Sequence, residues 1–148
     1  KVADLFVPGL VSFLIGHLLY IKGLKEPLMK GYQFVLGALA IYLLGMTSLI
    51  VPKAEAMLKV PIVVYASVIC TMVFYSINRA SNNQHSITSQ RLAAACAVVF
   101  AVSDTILALD RFYTPIETAK TLVMVTYYLG QTLIAASTLD AAKAKKSA

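Results

Sequence analysis

The chain has 148 residues, of which 59% are hydrophobic and 14% are charged, and its mean hydropathy is +0.75. This composition excludes an intrinsically disordered chain and argues against an ordinary water-soluble domain. The formal net charge is +6, but the basic residues lie in short gaps between apolar runs rather than in a stripe, so the charge does not indicate nucleic-acid binding.

Five apolar runs, taken in chain order, predict five membrane-spanning helices. A bilayer core about 30 Å thick is crossed by roughly 17 to 25 residues of α-helix. Runs close to this length occupy 5–21, 33–51, 60–77, 92–109 and 121–139. The period-two alternation of barrel strands is absent, so helices satisfy the backbone better in lipid. We therefore predict an all-α polytopic helix bundle, a single transmembrane domain over 1–148 with a polar tail at 140–148.

The polar gaps between the runs predict the orientation of the bundle. The gaps at 22–32 and 78–91, together with the tail, contain eight of the Lys and Arg residues, and the other side contains five. Cytoplasmic loops carry the excess of basic residues in membrane proteins. The C-terminus is therefore expected in the cytoplasm and Lys1 on the opposite face.

The cysteines and histidines predict neither a disulfide nor a metal site. Cys70 and Cys96 lie inside apolar runs without CxxC spacing, which favours buried thiols. The two histidines, His17 and His85, are too few to suggest a ligand cluster. We predict no metal and no other cofactor.

One acidic residue, Asp104, lies inside a predicted membrane helix. A carboxylate at such a depth costs about 2.5 to 3.5 kcal/mol on insertion scales, so another interaction must offset this cost. Two interpretations are open: a protonated or hydrogen-bonded carboxyl that holds helices together, or a proton donor or acceptor in catalysis. We favour the second, because ionisable residues within membranes are by default candidates for function.

Counting residues from the ends of the runs predicts which polar side chains share the depth of Asp104. At about 1.5 Å per residue, Tyr65, Tyr127 and Tyr128 fall within about one turn of that depth, and Gln131 lies near mid-depth. The same count places His17 roughly 10 Å away from the acid, level with Tyr75 at the other end of the bundle. The candidate substrate-binding residues are Tyr65, Tyr127, Tyr128, Gln131, His17, Tyr20 and Arg79.

Several of these polar residues have a structural alternative. Tyr20 also fits an aromatic belt at the membrane surface. Arg79 fits either a contact with lipid phosphates or an ordinary charge that sets topology. The glycines of the apolar runs are more typical of close helix contacts than of a binding site; they include Gly16, Gly37, Gly45 and Gly130.

Three stretches resemble the characteristic sequences of the YhhN-like lysoplasmalogenase family: GHLLY at 16–20, FAVSDTILALDRF at 100–112 and TYYLGQTLIA at 126–135. PGLVSFLIGHLLY at 8–20 and VPIVVYASVICTMVF at 60–74 are also similar to that family, so the likeness covers nearly the whole chain. The resemblance implies about eight spanning helices in the full-length fold and an acidic GD motif upstream of the first run. We therefore expect that an N-terminal part of the protein is missing from this sequence.

The resemblance also implies an activity, the hydrolysis of the vinyl ether bond of a lysoplasmalogen to a fatty aldehyde and glycerophosphocholine or glycerophosphoethanolamine. Protonation of an enol ether at carbon requires an acid that keeps its proton near neutral pH. Asp104 is the candidate catalytic acid, with Tyr127, Tyr128 and Gln131 placing the ether oxygen or a water. The expected partners are a lysophospholipid and the bilayer, with the endoplasmic reticulum as the favoured membrane.

Two other classes of function remain open at this point. A lipid-binding or transporter-like membrane protein would also keep a deep acid and a polar layer, and it would bind its substrate without releasing aldehyde. A catalytically silent structural subunit would keep the family fold without the activity.

Overall fold

The structure is a computed structural model that describes residues 3–81 and 85–146, with side chains described for 8–81 and 85–139. Within these residues the chain forms helices and no strand. The helices are α1 (Ala3–Leu24), α2 (Tyr32–Ile50), α3 (Ala56–Ala80), α4 (Ile87–Phe112) and α5 (Ala119–Lys146), and a 3-10 turn at Val51–Lys53 follows α2. The predicted all-α bundle is confirmed.

The helices extend past most of the predicted runs. α3 and α4 each begin several residues earlier and end several residues later than their apolar runs, because helix geometry continues into the polar residues at the membrane surface. The tail predicted at 140–148 is not separate from the last helix, since α5 continues to Lys146. Ala and Lys dominate this stretch and both favour helix. Residues 147–148 lie outside the described part of the chain.

Within the described ranges, four helices are long and apolar enough to cross a membrane: α3, α4, α2 together with its 3-10 turn, and α5 as far as Leu139. The described apolar part of α1, Pro8–Leu24, is shorter, so its span remains a prediction. Large apolar side chains cover the outside of the bundle, with Phe34 84% exposed and Ile41 74% exposed. Such a surface is suited to lipid rather than to water, and the chain is a multi-pass membrane protein.

The core lies where α3 and α4 meet their neighbours. α3 contacts α1, α2 and α4, and α4 packs along α5. Buried residues of α4 that face the core recur at helical spacing and are mostly small: Ser89, Ala93, Cys96, Ala97, Phe100 and Ser103. Small residues let two membrane helices approach closely, and the Ser89 hydroxyl donates to the backbone carbonyl of Ser137 on α5 at 2.8 Å.

Gly130 is the glycine that α5 needs for this approach. A Cβ atom at Gly130 would lie 2.9 Å from the ring of Phe100, whereas one at Gly16, Gly37 or Gly45 would meet nothing within 4 Å. The predicted close contact is confirmed at Gly130. It is wrong at the other three positions, because they face open space.

We expect Gly130→Ala to lower the free energy of unfolding by about 1 to 3 kcal/mol, the usual effect of overpacking a tight contact. The Phe100 ring has little room to move, since it is 1% exposed and contacts the rings of His17 and Tyr127. Thermal unfolding of the detergent-solubilised protein measures the effect. Gly37→Ala is the control and should not destabilise, because alanine favours helix; equal destabilisation of the two variants would contradict this assignment.

One end of the bundle is joined by an ion-pair group that we call the Glu26 cluster, made of Glu26, Arg79 and His85. Glu26 Oε1 lies 2.7 Å from Arg79 Nη1 and 2.6 Å from His85 Nε2. This contact brings the gaps at 22–32 and 78–91 to the same end of the bundle, as the charge count predicted.

Asn78 fixes the loop between α1 and α2 beside this cluster. Its buried side chain accepts a hydrogen bond from the Met29 backbone N–H at 2.8 Å and donates to the Pro27 carbonyl at 3.0 Å. The Asn78 amide thus forms the hydrogen bonds that these backbone groups, which lie outside a helix, would otherwise lack.

Candidate functional site

Asp104 lies on α4 and meets α3 through the hydroxyl of Tyr65. The Tyr65 hydroxyl donates to Asp104 Oδ1 over 3.5 Å, which is long for a hydrogen bond. The other carboxyl oxygen, Oδ2, is inaccessible to solvent and has no hydrogen-bond partner among the described residues. No Lys, Arg or His in the described part of the chain forms an ion pair with this carboxyl group.

Asp104 lines a small cavity between α2, α3 and α4 that we call the acid cavity. Its volume is about 80 Å³. Most of its walls are apolar side chains such as Leu43, Ile62 and Leu107, and Tyr42 is among the few polar groups. The carboxyl group therefore faces hydrocarbon rather than a solvated network.

Tyr42 and Thr105 form a second polar contact beside the acid. Tyr42 Oη lies 2.6 Å from Thr105 Oγ1. The Thr105 hydroxyl itself donates to the Ala101 carbonyl at 2.6 Å, so Tyr42 is the donor between the two hydroxyls. This pair was not among the predicted site residues, since 63 residues separate its members and no spacing rule connects them.

His17 is buried beside Tyr65 rather than near Tyr75 and Arg79. Its ring centroid lies 5.9 Å from that of Tyr65 and 5.7 Å from that of Phe100. The predicted level was wrong because a count from the ends of the apolar runs does not include the offset of one helix along another; both α1 and α3 begin before their runs. His17 Nδ1 lies 2.6 Å from the Phe13 carbonyl, and Nε2 is inaccessible, with no partner among the described side chains.

Tyr20, Tyr127 and Gln131 connect α1 with α5. The Tyr20 hydroxyl donates to Gln131 Oε1, so Gln131 accepts from α1 rather than from Tyr127 on its own helix. The Tyr127 ring packs against Phe13 with centroids 5.0 Å apart. None of these side chains lines the acid cavity.

The structure also separates two other predicted residues from Asp104. Tyr128 is 59% exposed on the outside of α5, and Arg79 belongs to the Glu26 cluster. Arg111, which was not among the candidates, lines the acid cavity near the end of α4. The sequence could have indicated this residue, because it lies seven residues after Asp104, two helical turns along the same face of α4.

The thiol and carboxyl groups of the described residues form neither a disulfide nor a metal site. Cys70 and Cys96 are buried and free, as predicted. No three His, Cys, Asp or Glu side chains within 8–81 and 85–139 lie close enough together to hold a metal ion.

Comparison with known proteins identifies the family. The sequence profile of the YhhN family matches residues 1–138. The chain is 30% identical over 136 residues to lysoplasmalogenase TMEM86B of Homo sapiens, covering 90% of this chain and 54% of that protein. It is 29% identical over 137 residues to lysoplasmalogenase TMEM86A of Bos taurus, covering 91% and 56%.

The chain thus spans about half the length of the curated relatives it matches. No solved structure matches it. Because the family profile covers all but the last residues, from the start of α1 through most of α5, the chain belongs to the YhhN family.

Proposed function

We propose that this chain carries the catalytic acid of a lysoplasmalogenase, which hydrolyses the vinyl ether bond of a lysoplasmalogen. The observation that supports this most is Asp104, a carboxyl group at an apolar cavity within a membrane helix bundle, with one inaccessible oxygen that has no partner in the described part of the chain. The curated relatives that carry the name lysoplasmalogenase suggest the reaction. The enol ether chemistry needs one acid in a site that holds little water.

In the first step, Asp104 donates its proton to the vinyl carbon that is not bonded to oxygen. Apolar walls and the lack of an ion-pair partner among the described residues favour the neutral carboxylic acid over the carboxylate. The π electrons form the new C–H bond, and the neighbouring carbon and the ether oxygen share the positive charge as an oxocarbenium ion. The carboxylate left on Asp104 stabilises this cation across a short distance.

In the second step, water adds to the cationic carbon and returns a proton to Asp104. The hemiacetal then collapses: the C–O bond to the ether oxygen breaks, and that oxygen takes the hydroxyl proton. The products are a fatty aldehyde and a glycerophospho compound, and the acid is regenerated. The acid cavity of about 80 Å³ has room for this water, which occupies about 30 Å³ in the liquid.

In this proposal the other polar residues hold the reacting groups in place. Tyr65 is a positioning residue, because its hydroxyl holds Oδ1 of Asp104 and leaves Oδ2 to carry the proton. His17 supports the Tyr65 ring through an edge-to-face contact. Tyr20 and Gln131 join α1 to α5 and thereby hold this support in place.

The orientation and membrane are part of the same proposal. The end of the bundle with the Glu26 cluster faces the cytoplasm together with the C-terminus, because that side carries eight of the 13 Lys and Arg residues. The endoplasmic reticulum is the membrane we propose, as the place where a single-chain lysolipid is available.

Isotope labelling tests the reaction directly. Membranes of cells that express the gene in full are given an alkenyl lysophospholipid in heavy water, and the aldehyde is trapped at once as the alcohol with borohydride. We expect one deuterium on the carbon next to the former carbonyl. In water labelled with oxygen-18, we expect no label in the glycerol product, because the bond that breaks joins the ether oxygen to the vinyl carbon.

A saturated alkyl lysophospholipid is the matched control and should release no aldehyde, since it has no π bond to protonate. Label in the glycerol product would contradict the mechanism. Saturable binding of the alkenyl lipid without aldehyde would favour a lipid-binding or transporter-like protein. Neither binding nor aldehyde would favour a structural subunit.

A further inference from the structure

Two cavities adjoin between α2 and α3. The second, which we call the chain groove, has a volume of about 370 Å³ and is lined by residues that include Leu36 and Ala40 of α2 and Cys70 of α3. Leu43 lines both the chain groove and the acid cavity. The two cavities therefore adjoin at Leu43, and we call the two together the path, with Asp104 in its acid cavity.

Two of the three hydroxyl groups that line the chain groove, those of Ser67 and Thr71, donate to the backbone of their own helix, and the third belongs to Tyr75. The Ser67 hydroxyl donates to the Val63 carbonyl at 2.7 Å, and the Thr71 hydroxyl donates to the Ser67 carbonyl at 2.8 Å. The remaining walls are mostly hydrocarbon. From Leu43 to Leu36 the groove follows α2 for roughly 10 Å, so it suits a long apolar chain.

The opposite end of the path carries a positive charge. Arg111 lines the acid cavity and lies seven residues after Asp104 on α4, which is roughly 10 Å along the helix axis. A guanidinium group binds phosphate oxygens in a two-pronged geometry. The protein therefore presents a cation, then a carboxyl group, then an apolar groove, in the order in which a lysoplasmalogen presents its phosphate, vinyl ether and hydrocarbon chain.

We propose that the hydrocarbon chain of the lysophospholipid lies in the chain groove between α2 and α3, with its phosphate on Arg111, so that Ala40 helps to select chain length. This inference rests on the proposed function, since it places the vinyl ether at Asp104. Lipid tails around the protein are as apolar as the groove, so the groove selects by shape rather than by hydrophobicity.

Ala40→Phe tests the groove by filling it. We expect the ratio of kcat/KM for a long alkenyl chain to that for a short one to fall by about tenfold or more, the discrimination that a misfitting methylene produces. Ala38→Phe is the matched control, because Ala38 is exposed on the same helix and lines neither cavity. An unchanged ratio in an active Ala40→Phe enzyme overturns the assignment of the chain.

Arg111→Gln tests the phosphate end. We expect KM for the lysophospholipid to rise by about tenfold or more, as for the loss of one charge-assisted hydrogen bond, with no such rise for an alkenylglycerol that lacks phosphate. Lys53→Gln removes a charge from the same end of the bundle outside the cavity and should leave both values unchanged. An equal rise for the two substrates overturns the assignment of the phosphate.

Photo-crosslinking separates this inference from the proposed function. A saturated alkyl lysophospholipid with a diazirine at the methyl end of its chain cannot be hydrolysed, and we expect it to label peptides of α2 and α3. Such labelling in a protein that releases no aldehyde would leave the groove supported and the proposed function refuted. Labelling confined to other helices, or none at saturating probe, overturns the groove even when aldehyde is released.

Discussion

We expect Asp104→Asn to lower aldehyde release strongly and to leave the helix bundle folded. Asparagine has nearly the shape of aspartic acid and still accepts the Tyr65 hydroxyl through Oδ1, but it has no acidic proton. General acid catalysis contributes about 10²- to 10⁴-fold to rates, so we expect turnover to fall by at least about a hundredfold. Aldehyde release per folded enzyme measures this, with gel filtration and the thermal midpoint as checks of the fold.

Asp110→Asn is the matched control on the same helix. Asp110 accepts a hydrogen bond from the Ile116 backbone N–H at 2.8 Å, and asparagine keeps that acceptor, so activity should stay near that of the unmodified protein. Retained turnover in Asp104→Asn would remove Asp104 from the mechanism. Loss of folded protein together with activity would instead support the view that this carboxyl group holds helices together.

Arg79→Leu should destabilise the protein strongly without weakening substrate binding. The side chains of Arg79 and Glu26 are 8% and 15% exposed and lie 2.7 Å apart. Breaking a buried ion pair by removing one partner destabilises a protein by about 3 to 5 kcal/mol, and this range is the upper bound here because His85 stays 2.6 Å from Glu26 Oε1. We expect a lower thermal midpoint and, in the folded fraction, an unchanged KM for the lysophospholipid.

The exposed Arg91 provides the control, since Arg91→Leu removes the same charge from the same end of the bundle. Glu26→Gln combined with Arg79→Leu should recover part of the lost stability, because the double variant no longer holds a half-buried carboxylate that has lost its guanidinium partner. A raised KM with an unchanged thermal midpoint would restore the sequence-based expectation that Arg79 binds the substrate.

The sequence could predict the helices and the deep acid because neither prediction requires knowing which residues meet in the folded protein. Hydropathy summed along the chain decides which runs enter lipid, and Asp104 stands out in such a run without knowledge of any neighbour. The close contact at Gly130 was predicted from the general rule that small residues lie at helix contacts. That rule failed at Gly37, because it does not say which face of a helix meets another helix.

The partners of each side chain could not be predicted in the same way. A count of residues gives depth along the membrane normal, but the rotation and offset of each helix decide which side chains meet. The rotation and offset of the helices place His17 against Tyr65 and Tyr42 beside Thr105. Arg79 was assigned to lipid or substrate because the sequence does not show that the loop after α1 returns Glu26 to it.

The shallow burial of α2 determines how a substrate would arrive. Of its 19 residues only Ile50 is buried, so the path along α2 opens sideways into the hydrocarbon of the surrounding leaflet. Under the proposed function, a lysolipid dissolved in that leaflet would reach the carboxyl group by lateral diffusion in two dimensions, without passing through bulk water. The quantity that saturates such an enzyme would be the mole fraction of lysolipid in the membrane, and dilution with inert phospholipid would slow turnover even when the molar amount of substrate stays constant.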